Sequence, residues 1–143
     1  MTIRVKKLDE NALLPTYGTS FAAGADLYAL TAETIAPGET KLIHTGIAME
    51  IPEGYGGFLY ARSGLATKRG LAPANKVGVI DADYRGEIMV AMYNQSASVQ
   101  TLDAGERIAQ LVIAPFLHAE FEESETLCDT QRGTGGFGST GKK

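Results

Sequence analysis

Gly78-Val79-Ile80-Asp81-Ala82-Asp83-Tyr84-Arg85-Gly86-Glu87-Ile88 carries the most information of any stretch in the chain. Two apolar β-formers run into a carboxylate. A second carboxylate, a tyrosine and an Arg-Gly turn follow, and Ile88 to Tyr93 is apolar again. The pattern predicts a β-hairpin with acids at its bend. On an extended chain Asp81 and Asp83 would share a face; on a bend they need not. Spacing alone favours a solvated turn between two strands, since Asp and Gly are ordinary turn residues.

Outward from this stretch the same punctuation recurs. Turn signals stand at Pro37-Gly38, Pro52-Glu53-Gly54, Asn94-Gln95-Ser96 and Asp103-Ala104-Gly105. Between them lie short β-rich runs: 3–5, 26–30, 40–44, 47–51, 57–61, 76–80, 88–94, 99–102 and 108–114. Short strands at this spacing predict an all-β sandwich or barrel. The one helical candidate is a short turn over Leu65 to Arg69, stopped by Gly70.

The chain has 143 residues, enough for one domain with a sizeable core. Hydrophobic residues make up 44% and charged residues 21%, as in a soluble globular protein. No apolar run approaches a membrane span, so no membrane partner is expected. Met1 to Lys7 lacks the apolar core of a signal peptide. The single cysteine, Cys128, fits a reducing cytosol, and a cytoplasmic location is expected. The net charge of −4 argues against a nucleic-acid coat. An anionic ligand would need local positive charge or a metal.

After Pro115 the composition changes. Glu120, Glu122, Glu123 and Glu125 are followed by Arg132-Gly133-Thr134-Gly135-Gly136-Phe137-Gly138-Ser139. The glycines make this a flexible arm by composition. The expected division is a domain over 1–118 and an extension with a glycine-rich arm over 119–143. Gly136 to Lys142 matches G-x-x-x-x-G-K, but Lys143 stands where a phosphate loop needs Ser or Thr. What remains is a cation (Arg132), a hydroxyl (Ser139) and one aromatic (Phe137), suited to capping a flat base.

Arg62-Ser63-Gly64 follows an apolar run and precedes the helical turn. It reads either as a phosphate grip or as a strand end with a Ser N-cap. Asp26 reads locally as a turn aspartate. Gln110 lies inside an apolar run, so it is a structural hydrogen-bonding link or a ligand contact. His44 and His118 have no metal-ligand spacing and read as incidental.

Taken together, these residues resemble the trimeric dUTP diphosphatase (dUTPase) family. Five stretches match its motifs in order: 23–27, 61–65, 78–88, 106–110 and 132–139. The resemblance implies a jelly-roll-like β-barrel of the dUTPase β-clip type, assembled as a homotrimer with active sites shared between chains. It implies Mg2+-dependent hydrolysis of dUTP to dUMP and pyrophosphate, which supplies dUMP for thymidylate synthesis and keeps uracil out of DNA. Asp81 matches the general base, and aspartate as a residue type suits a base that must be ionised at neutral pH. Arg62, Ser63 and Gly64 match the phosphate grip, and Gln110 a further phosphate contact. Asn75 and the backbone of Val79 and Ile80 match the uracil-reading segment, and Met89 the pocket lining. Tyr84 matches the residue under the deoxyribose. Asp26 matches an outer-sphere partner of magnesium waters, with no direct protein ligand to the metal. Arg132, Phe137, Gly138 and Ser139 match the arm that closes over the nucleotide.

Two alternatives accompany this reading. A dCTP deaminase shares the fold but needs a glutamate in the strand after the hairpin, where Ala91 stands. A non-catalytic nucleotide-binding regulator would keep the fold without the chemistry.

Overall fold

A computed structural model describes residues 1–136 of the chain. It contains twelve strands and one short helix. The strands are β1 (Arg4–Lys7), β2 (Thr16–Tyr17), β3 (Ala25–Tyr28), β4 (Glu33–Ile35), β5 (Thr40–His44), β6 (Ile47–Glu50), β7 (Tyr55–Ala61), β8 (Leu71–Pro73), β9 (Gly78–Ile80), β10 (Met89–Asn94), β11 (Gln100–Leu102) and β12 (Arg107–Pro115). Helix α1 spans Ser63–Arg69 and ends at Gly70, whose φ of 67° is the left-handed cap conformation that glycine adopts most readily.

The strands form four antiparallel sheets of two to five strands. The largest runs β2-β3-β12-β7-β9, and a three-stranded sheet runs β5-β10-β8. This is a jelly-roll-like all-β fold, as expected, but the described strands do not close into a barrel.

The sequence dictates which faces meet. Along β10 the burial alternates, with Val90, Met92 and Asn94 inward. That period of two places alternate residues on one face. Ile35, Ile43, Ile47, Leu71, Val90, Met92 and Ile108 join one core at 0–1% exposure. Each such side chain contributes about 1.5–3 kcal/mol by leaving water. Asn94 is the polar member of this core. Its Nδ2 donates to the carbonyls of Ile35 and Ser98, and its Oδ1 accepts from the Ser96 N–H and hydroxyl. A buried amide is tolerated because it is satisfied.

The expected hairpin over 78–88 is not a hairpin. β9 pairs with β7, whereas β10 pairs with β5 and β8. The eight residues from Asp81 to Ile88 cross from one sheet to the other, too long a connection for a tight two-residue turn. The crossing holds its shape with its own bonds. The Tyr84 N–H donates to the Asp81 carbonyl at 3.2 Å, and Arg85 Nη1 donates to the carbonyls of Ala82 and Tyr84. No helix among the described residues is long and apolar enough to cross a membrane.

Candidate active site

One group of predicted residues gathers at an end of the five-stranded sheet. Register places Gln110 on β12 opposite Asp26 on β3 and opposite Tyr60 on β7. Gln110 is half-buried and makes no side-chain hydrogen bond among the described residues. A register shift between Arg107 and Ala109 bulges β12, and bulges re-aim side chains. Arg107 Nη1 donates to Asp26 Oδ2 at 3.3 Å. Arg62, just past the end of β7, brings Nε to 2.9 Å from Asp26 Oδ1. A carboxylate 4% exposed requires such cations, because burying an unpaired charge is costly. The Arg62 contact is a close ion pair without hydrogen-bond alignment, so Asp26 Oδ1 and Arg62 Nε are both buried with no aligned partner. Two guanidinium groups on one carboxylate leave one net positive charge.

Next to this cluster, α1 starts without a side-chain cap. Arg62, at φ −84° and ψ 127°, is the N-cap residue, and no acidic residue occupies the first turn. The Ser N-cap alternative is therefore not what forms; Ser63 is the first helical residue. The leading amides of a helix have no intrahelical acceptor, and the space around Gly64 is open within 4 Å. Guanidinium groups and free amides together suit an anion.

The second group lines a cleft of about 290 Å3 between β9 and β10. Asn75, Val79, Ile80, Asp81, Tyr84 and Met89 all face it. Val79 is 65% exposed. Asp81 is exposed, and its carboxylate has no partner among the described residues. The Tyr84 hydroxyl donates to the Glu87 carbonyl at 2.9 Å. Its ring lies over Gly86, where any Cβ would collide with the phenol. Asp83 lines a different cleft of about 530 Å3, with Arg4, Glu50 and Arg85. That larger cleft holds none of the predicted residues, and its Arg4 is already paired with Glu50 at 2.7 Å. Volume alone would select it; chemistry selects the smaller one.

No hydrogen bond or ion pair joins the two groups among the described residues. Ile80 pairs with Gly57 near the start of β7, whereas Arg62 follows its end. Gly57, the partner of Ile80, is five steps from Arg62, or about 17 Å of extended strand. Arg132 lies in an exposed turn with Nε donating to the Gly135 carbonyl at 2.8 Å and makes no hydrogen bond to either group among the described residues. Phe137, Gly138 and Ser139 lie outside the described residues.

Three residues escaped the sequence reading. Arg107 sat inside a motif without a role. Glu87 carried no signal of its own. His44, taken as incidental, has Nδ1 at 2.8 Å from Glu87 Oε2. Glu87 Oε1 accepts the Gly46 N–H at 2.8 Å. Burial pushes the Glu87 pKa up, but bonds from His44 and the N–H groups of Gly46 and Thr45 outweigh it and hold it below the usual range.

The family model of dUTPase matches residues 10–141. The chain belongs to the dUTPase family. Among curated dUTPase-family relatives, the deoxyuridine 5'-triphosphate nucleotidohydrolase of Nautilia profundicola is 52% identical over 142 residues, covering 99% of this chain and 100% of its own. That of Acinetobacter baylyi is 45% identical, with 100% of both chains covered. The dUTPase of Staphylococcus bacteriophage 80alpha with dUpNHpp superposes with a TM-score of 0.92 at 32% identity, covering 98% of each chain. A mutant dUTPase from phage phi11 of S. aureus, described as revealing the coordination of a structural Mg(II) ion, gives 0.80 at 28% identity, covering 88% of this chain and 98% of that one.

Proposed function

We propose that this chain is a dUTP nucleotidohydrolase whose active site is completed only when copies assemble. One observation carries the assembly: β9 pairs with Gly57 to Leu59 and leads to Asp81 on the side of the start of β7, whereas Arg62 follows the end of β7. A nucleotide's phosphates cannot bridge that span. A neighbouring copy that brings its Arg62 end to this chain's cleft would unite the halves. Exposed apolar side chains beyond β12 also favour a partner surface: Leu117, Phe121 and Leu127 are 89–97% exposed. We take the assembly to be a homotrimer, after the family resemblance, and the free exposed thiol of Cys128 is compatible with the cytosol.

In this reading the edge of β9 offers its backbone to uracil, and Tyr84 lies beneath the deoxyribose. Met89 and Asn75 line the remaining wall. The Asp81 carboxylate takes a proton from a water, which attacks the α-phosphorus. The bond to the oxygen bridging the α- and β-phosphates breaks, giving dUMP and pyrophosphate. Arg62, Ser63, Gly64 and Gln110 position the phosphates and offset their charge, which is most of what phosphoryl chemistry asks of a protein. Arg107 joins them through its shared hold on Asp26. The arm from Arg132 through Phe137, Gly138 and Ser139 would close the site.

Mg2+ fits this arrangement as part of a metal–nucleotide complex. The unaligned Asp26 Oδ1 has a lone pair for a metal-bound water, and the phosphates would supply the direct oxygens. When bound, the ion neutralises phosphate charge. Deamination lacks a carboxylate at Ala91, which lines the cleft instead. The test is pyrophosphate release across dUTP, dTTP, dCTP and UTP, with Asp81→Asn alongside. Turnover of dUTP alone, lost in Asp81→Asn while dUTP still binds, is the expected result. Ammonia release from dCTP would sink the reading, and binding without turnover in the wild type would identify a regulator.

A further inference from the structure

We infer that Glu87 is a positioning residue that sets where Tyr84 stands, and so controls discrimination between deoxyribose and ribose. The inference rests on the dUTPase reading of the cleft. The bonds made by Tyr84 and Arg85 are internal to residues 81–88. Internal bonds fix the shape of the crossing but not its place between the two sheets. Among the described residues from Asp81 to Glu87, Glu87 alone makes a side-chain hydrogen bond that leaves the crossing.

Its carboxylate spans two groups of the β5–β6 turn, the Gly46 N–H and His44 Nδ1, each at 2.8 Å. That turn is rigid. A Cβ at Gly46 would lie 2.9 Å from Ala12 Cβ and 3.1 Å from Leu30 Cδ1, so the backbone is packed hard against both. The Thr45 hydroxyl donates to the Ile88 carbonyl, and the Ile88 N–H to the Ile47 carbonyl at 2.9 Å. The Ile88 N–H shares one planar peptide unit with the Glu87 carbonyl, so these two bonds hold that carbonyl and leave the Gly86 side of Glu87 to its side chain. The Tyr84 hydroxyl, in turn, is held by the carbonyl of that same Glu87. The phenol ring also rests against Gly86, so losing the Glu87 side-chain anchor frees the residue on which the ring packs. Glu87 also lines the cleft, but with both carboxylate oxygens held by the β5–β6 turn its role here is exerted through Tyr84.

The readout is the ratio of kcat/KM for dUTP to that for UTP. Glu87→Asp retracts the charge by one methylene and cannot span both partners. It should fold, and it should lower the ratio by about tenfold or more, since misplacements near 1 Å carry large rate effects. Glu87→Ala should lower it at least as far. Glu87→Gln keeps an acceptor for Gly46 and a donor for neutral His44, and should restore the ratio to within about threefold. An unchanged ratio in Glu87→Asp overturns the inference. So does an equal loss with both substrates, which marks general weakening. A wild-type chain that fails to turn over dUTP refutes the dUTPase reading instead.

Discussion

Chains carrying Asp81→Asn, mixed with chains carrying Arg62→Ala, should recover activity that neither possesses alone. The geometry gives the amount. Arg62 lies about 17 Å of extended strand from Gly57, the partner of Ile80, so on the shared-site proposal each working site draws Asp81 and Arg62 from different copies. In a one-to-one mixture, the copy supplying Asp81 is intact there half the time, and the copy supplying Arg62 likewise. About one quarter of sites in randomly assembled closed rings then hold both groups. The assay is pyrophosphate release after the two variants are unfolded together and refolded, with mixed assemblies verified by native mass spectrometry. Recovery near one quarter of wild-type activity is expected. Verified mixed assemblies with no recovery would show that one chain holds the whole site, and the argument from β7 would fail.

Three further outcomes follow from the packing. Gly86→Ala should push the Tyr84 ring off the Glu87 carbonyl, lowering kcat/KM for dUTP more than for UTP, as steady-state kinetics would show. Asn94→Ala strips four hydrogen bonds from the core and should cost about 2–4 kcal/mol, read as a fall in Tm on the order of 10 °C by circular dichroism. Glu87 has its folded pKa lowered from 4.5, its burial being outweighed by the bonds from His44, Gly46 and Thr45. A carboxyl lowered on folding contributes fully above its unfolded pKa and is lost as pH falls through the folded one. Tm should therefore drop below pH 4.5, and Glu87→Ala should flatten part of that drop. Glu33, lowered by its hydrogen bond from Lys41, supplies another part.

The strands legible in the sequence were those with alternation or apolar runs, such as Met89 to Asn94. The unread ones were short or irregular. β8 ends on Pro73, which lacks an N–H; it survives because it sits at the edge of its sheet. β2 has two residues and β4 three, too few for any period to register. The hairpin expectation failed because strands adjacent in sequence usually pair, and here a longer crossing let them join different sheets. The site followed the same division. Asp81, Tyr84 and Arg62 were legible through motifs. Glu87, His44 and Arg107 were not, because their significance lies in contacts 41 to 81 positions apart rather than in local spacing.

β9 has a neighbour on one side only. Gly78, Val79 and Ile80 line the cleft, and on the proposed reading a base would take the place of a missing strand there. Any strand left open to read a ligand is equally open to another protein chain, and exposed edges invite aggregation. Here the open edge is three residues long. On one side Lys76 turns the backbone at a φ of 64°, and on the other the crossing begins at Asp81. An edge this short is ample for a single pyrimidine and too brief to template a fibre, so brevity itself protects the empty enzyme.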